Sequence, residues 1–272
     1  MLNKFAIATG LALAVALPAH AEFRWELGAG YLSGDVEGDE IDADIDVANI
    51  NGSWFFSSVN TEKGPLSEAA FLDRASRVDV LFEDGELDGD AGDADISSYG
   101  VGSRWVFDKD AGWFVEGAYT YSEVEDFETD TFSIGGGKYV FENTLVALSY
   151  SYSDPDLGDD IDTYAVEVEH LQELPFGALK LEGAYAYADP GDSSDTDNWL
   201  GTVIYYPLNQ LGVGGSWQRT ISGSSSDTWA VFAEWFVTEN IALSLEYQDT
   251  EDAAGINNVD GDAFVGSALI RF

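Results

Sequence analysis

From residue 22 onward the chain alternates apolar with small or polar positions over segments of about ten residues, each ended by a break. A repeat of two is that of a β-strand with unlike faces. It is clearest over residues 23–31, 113–121, 179–187, 229–237, 241–247 and 264–272, and no long segment repeats at helical spacing. The breaks are acidic and short by turns. Acidic ones lie near 35–43, 84–95, 125–130, 153–162, 188–197, 222–227 and 249–261, and short ones near 57–75, 108–112, 141–144, 174–177, 207–210 and 238–240. Seven and six connections predict fourteen antiparallel strands, with twelve and sixteen as neighbouring alternatives. An even number puts both termini at one end, as in single-chain barrels of bacterial outer membranes.

Alternation also fits a soluble sandwich, so the order within each face matters. Trp113, Val115, Gly117, Tyr119 and Tyr121 share one face, as do Leu179, Leu181, Gly183, Tyr185 and Tyr187, with aromatic residues towards strand ends. That order suits girdles bracketing a lipid-facing band. The opposite faces carry Phe114, Glu116, Ala118, Thr120 and Ser122, or Lys180, Glu182, Ala184 and Ala186, which suits a wet lumen. The predicted fold is an all-β transmembrane barrel with long acidic external loops and short periplasmic turns.

The first 21 residues read as a secretory signal: Lys4, an apolar run from Phe5 to Leu17, then Ala19-His20-Ala21. Cleavage there would leave residues 22–272 as a single barrel domain and, by removing Lys4, would take the formal charge from −40 to −41. Such a charge excludes a nucleic-acid partner. With Cys 0 there is no disulfide, thiolate ligand or Cys nucleophile, and His170 is the one histidine beyond the signal. No serine nucleophile motif accompanies it, so the chain reads as a non-enzyme with no cofactor and no dedicated metal site. The segment Asp84–Asp95 has oxygen ligands but lacks the ordered spacing of a calcium loop.

At the C-terminus, Phe264, Gly266, Ala268, Ile270 and Phe272 share the lipid-facing register and resemble the terminal signal read by the barrel assembly machinery. The segment Gly64-Pro65-Leu66-Ser67-Glu68-Ala69-Ala70-Phe71-Leu72-Asp73-Arg74-Ala75-Ser76 resembles a connection after the second strand in porins of Gram-negative outer membranes. This resemblance implies a passive diffusion channel in that membrane, surrounded by lipid and lipopolysaccharide. The third acidic break is too short to enter the lumen as the constriction loop of sixteen-stranded trimeric porins, so monomer and trimer both stay open.

Strand parity puts Arg24, Arg104 and Lys180 on the lumen face with Glu26, Glu116, Glu182 and Glu246. Facing lipid at mid-depth, an Arg or Lys would cost about 2–4 kcal/mol. These residues are either pore-lining charges or struts between neighbouring strands. The acidic breaks hold no Lys or Arg, so the predicted external rim is strongly negative and favours cations. The expected function is a porin for small hydrophilic solutes or ions, cation-preferring through acidic loops. The alternative is a non-conducting surface barrel whose acidic loops bind divalent cations or neighbouring surface molecules, and inward Phe114, Phe232 and Phe236 are residues that could plug the lumen.

Overall fold

A computed structural model describes residues 22–37, 42–89, 92–191, 194–252 and 260–272, so the expected signal segment lies outside the described residues. The strands are β1 (Glu22–Glu37), β2 (Asp42–Asn60), β3 (Arg77–Gly89), β4 (Gly92–Asp108), β5 (Trp113–Val124), β6 (Phe127–Phe141) and β7 (Thr144–Pro155). They continue as β8 (Ile161–Leu174), β9 (Gly177–Asp189), β10 (Thr196–Leu208), β11 (Leu211–Ser222), β12 (Ser224–Thr238), β13 (Ile241–Asp252) and β14 (Asp260–Arg271). Each strand pairs antiparallel with its neighbours in the chain, and β1 pairs with β14, closing the fourteen-stranded barrel. Closure removes every sheet edge, the condition lipid imposes on a spanning sheet.

Through the middle of each strand the register is regular and fixes the facing, the shifts lying near the end that holds the termini, as between Phe23 and Trp25 or Tyr139 and Phe141. Trp113, Ile134, Leu148, Leu181, Val203 and Leu245 are exposed on the outside. Phe114, Tyr139, Leu145, Leu171, Tyr206 and Phe236 are buried on the inside. The ladder passes without a shift through Gly135–Gly137 and Gly214–Gly215. It therefore places Lys138 and Arg219 outside, Lys138 over the Trp113 ring at 4.9 Å and Arg219 3.9 Å from Asp227. Two of these glycines are needed for close packing: a Cβ at Gly137 or Gly214 would fall 2.7 Å from the ring of Phe114 or Phe232.

At the end away from the termini, the acidic segments are largely strand. Asp35 and Glu37 belong to β1, Asp42, Asp44 and Asp46 to β2, and Asp84, Glu86 and Asp88 to β3. The fully described connections there are brief, residues 125–126 between β5 and β6, 156–160 between β7 and β8, and residue 223 between β11 and β12. Acidity marked these residues as loop, yet each has a ladder partner, Asp35 opposite Asp44 and Asp84 opposite Ala48. Residues 38–41 and 253–259, and Asp90 and Ala91 of the segment Asp84–Asp95, lie outside the described residues. At the end holding the termini, residues 61–76 are not a short turn. They contain a 3-10 turn, Leu66–Glu68, and a one-turn helix α1, Ala69–Leu72.

Candidate functional site

Residues 61–76 fold into the barrel because they are too apolar to lie in water. Leu66, Ala69, Phe71, Leu72 and Ala75 find partners on strands all round the ring. Ala69 and Ala75 pack with Phe23, Phe55 and Val59, Leu66 with Phe236 and Ala242, and Phe71 and Leu72 with Leu171, Ala178 and Tyr206. Full burial of a Leu or Phe side chain contributes about 1.5–3 kcal/mol. The opposite wall is filled by Val106, Phe114, Tyr139, Leu145 and Ala147, against which Phe71 also packs.

Polar contacts fix the tip. Glu68 is 4% exposed and meets Lys180 of β9 at 2.9 Å, while the Tyr206 hydroxyl of β10 donates to it at 2.6 Å. Around the ring, β9 and β10 lie opposite β2 and β3, so this connection crosses the full width of the lumen. Arg271 of β14, 3% exposed, donates to the Leu66 carbonyl at 2.7 Å and pairs with Glu26 at 2.6 Å. The Leu66 amide donates to the Asn209 carbonyl at 2.8 Å. Below the tip, Lys63 and Lys109 share Asp73 at 2.6 and 2.8 Å. Arg74, at a left-handed φ of 49°, donates to the carbonyls of Lys109, Phe141 and Glu142. An L-residue in that conformation costs about 1–2 kcal/mol, which these three bonds offset.

Above this plug lies a cavity of about 420 Å³ lined by Glu26, Glu68, Glu167, Glu169 and Glu234 against Arg77, Arg104, Lys180 and Arg271. Below it, about 750 Å³ is lined by Lys63, Asp73, Arg74, Lys109, Glu142 and Glu173. Lys180 is shared by three carboxylates, Glu68, Glu169 at 3.0 Å and Glu182 at 2.7 Å. Arg104 pairs with Glu116 at 2.8 Å and Arg77 with Asp79 at 2.9 Å. Among the described residues, Glu167, Glu234 and Glu246 form no direct ion pair, and Glu246 accepts from Gln248 at 2.5 Å.

The structure thus brings Glu26, Arg104, Glu116, Lys180, Glu182 and Glu246 to the inner face. It does not bring Arg24 there. A bulge between Phe23 and Trp25 breaks the parity, both the Arg24 and Trp25 amides donate to the Phe272 carbonyl, and Arg24 is exposed with Ser58 at 3.4 Å. Phe264 and Phe272 are exposed on the outer face, and Ile270 is buried. Of the three inward phenylalanines, Phe114 and Phe236 are buried in the plug's surroundings, while Phe232 lies over Gly214. His170 accepts or donates at 2.8 Å with Thr144.

Sequence reading missed Glu68, Tyr139, Glu169, Tyr206 and Arg271. Arg271 was available from parity, one step from Phe272. Glu68 was signalled only by the density of apolar residues around it in a supposed turn.

Most external acids are elsewhere. Asp46, Asp130, Asp162 and Asp197 lie on the outer face beyond the lipid-facing band, accepting from Tyr31, Tyr119, Tyr150 and Tyr185 at 2.5 Å each. Paired carboxylates occur there too, and a hydrogen bond shared with Asp262 raises Asp35 from its ordinary value.

Comparison with known proteins gives two overlapping family matches. Residues 6–174 match the family described as "Putative general bacterial porin" and residues 115–255 match the "Gram-negative porin" family. No curated protein matches the sequence. Among solved structures, the outer membrane protein Omp33 of Acinetobacter baumannii is similar with a TM-score of 0.68 at 18% identity, covering 93% of this chain and 99% of that one. A deletion mutant of the monoaromatic hydrocarbon channel TodX gives a TM-score of 0.62 at 8% identity, with 93% and 91% covered. A bacterial polysaccharide outer membrane secretin gives 0.55 at 8% identity, with 92% and 98% covered.

Proposed function

Given that this chain belongs to the general bacterial porin family, and is a Gram-negative outer-membrane barrel, we propose that it passes small hydrophilic solutes or ions passively, with a preference for cations set inside the lumen. The observation carrying this reading is the excess of carboxylates on the inner face. Glu26, Asp79, Glu116, Glu167, Glu169, Glu182, Glu234 and Glu246 stand against Arg77, Arg104, Lys180 and Arg271. A negative potential in a narrow low-dielectric passage enriches cations more than the same charge on an outer surface, where water and salt screen it. The preference therefore comes from the strands facing the lumen rather than from acidic loops. Passage involves no catalytic step.

A second reading, a non-conducting surface barrel that holds divalent cations or neighbouring surface molecules, draws support from the outward acids and from the plug. Outer Phe272, with its main chain bonded to Trp25 at 2.8 and 3.0 Å, fits the role of terminal assembly signal. Planar-bilayer recording of refolded protein under a KCl gradient separates the two readings. The porin reading predicts discrete steps and a cation-favouring reversal potential that shrinks at high salt. Silence from protein shown to be folded by heat-modifiable migration would favour the second.

A further inference from the structure

The plug is sealed to the wall at most of its circumference. Leu66 is bonded at both its amide and its carbonyl, Glu68 is held by Lys180 and Tyr206, and Ala69 and Ala75 are packed on Phe23, Phe55 and Val59. One contact is of another kind. The Tyr139 ring meets Phe71 of the plug at 5.5 Å and Phe114 of the wall at 6.0 Å, beside Val106, Leu145 and Ala147, and its hydroxyl is hydrogen-bonded to Arg104, so a side chain rather than the main chain makes this part of the seal. Tyr139 is also the one residue common to the linings of the cavity above the plug and the cavity below it.

We propose that Tyr139 is the permeation gate of this barrel: its ring is the partition between the lumen cavity and the periplasmic cavity, and solutes cross where it stands. This rests on the porin reading and names the point of passage that reading leaves open. The backbone there is fixed, since the Tyr139 amide donates to the Gly112 carbonyl at 2.9 Å, so the moving part is the side chain. Arg74 is its positioning residue, with the guanidinium 5.0 Å over the ring and anchored on the carbonyls of Phe141 and Glu142. The Arg74 cation over the aromatic face is the non-directional part of that hold, and the Arg104 hydrogen bond to the hydroxyl is the part that must break for the ring to turn. The aromatic contacts lie beside Arg104 above and Arg74 below, and Glu167 and Glu169 above, with Asp73, Glu142 and Glu173 below, offset those two charges along the path of a cation.

The test is single-channel conductance in symmetric KCl for the parent, Tyr139→Ala, Tyr139→Phe, and a barrel in which residues 64–75 are replaced by a short Gly-Ser turn, each checked for heat-modifiable migration. The proposal predicts that Tyr139→Ala raises unitary conductance by on the order of twofold, that Tyr139→Phe, which keeps the ring and loses the Arg104 bond, rises less than the alanine variant, and that the plug-replaced barrel exceeds both. Tyr139→Leu, which keeps apolar bulk but not the flat ring, serves if the alanine variant fails to fold, with the same rise expected. Parental conductance in the Ala and Leu variants, alongside a conducting plug-replaced barrel, would overturn the gate and leave the porin reading standing. Silence from every folded form, the plug-replaced barrel included, would overturn both.

Discussion

At the end away from the termini, carboxylates project from the outside of strands that run on past a ring of tyrosines; at the end holding the termini, charges project inward and close on a folded connection. The same alternation built both ends. What differs is the solvent on each side of the wall: beyond the lipid band the outer face is hydrated and tolerates Asp46, Asp130 and Asp162, whereas within it charge is confined to the lumen. A count of acidic residues therefore says little about selectivity until each is assigned a face.

The most drastic way to break the comparison is to remove the plug. Replacing residues 64–75 with a short turn should give the largest change of any variant, a several-fold rise in conductance, because the connection spans the lumen from β3 to β9. An unchanged conductance would mean that these residues do not limit flow. Next in size is Lys180→Met. It leaves buried Glu68 and its two companion carboxylates without their shared cation, and should weaken docking of the plug by about 3–5 kcal/mol. Frequent transitions to a larger conductance level would show this in the recordings, and a steady parental trace would contradict it.

These two variants also mark where sequence reading succeeded and stopped. Facing was legible at Arg104, Glu116, Lys180 and Glu182, because a one-residue shift would put charges into lipid. It failed at Arg24, where a bulge local to β1 restored the ladder one residue later. Strand number survived the misjudged breaks because their alternation was right even where their length was not. The plug was not legible, since its partners Lys180, Tyr206 and Arg271 are distant in sequence and a short helix leaves no periodic trace. Its apolar residues at positions 66, 69, 70, 71, 72 and 75 were the available sign that it does not lie in water.

At the acidic end, effects should be small. Asp35 sits beyond the lipid band, raised by its hydrogen bond to Asp262, then by burial and by the charge of Asp262. A carboxyl raised in the folded state adds stability below its unfolded range and loses it as pH rises through the raised value. Asp35→Asn should accordingly raise the midpoint of thermal unfolding slightly at neutral pH and leave it unchanged well below the aspartate range. A lower midpoint at neutral pH would show that the pair is held together rather than strained.

The most direct test of the account sets the two sets of acids against each other in one KCl gradient. Glu167, Glu234 and Glu246 are changed together to Gln in one protein, and Asp46, Asp130 and Asp162 to Asn in another. If selectivity lies inside, the lumen variant loses most of the cation-favouring reversal potential at low salt and the outer variant keeps the parental value. A parental potential in the lumen variant with a collapsed one in the outer variant would contradict it, returning selectivity to the acidic exterior.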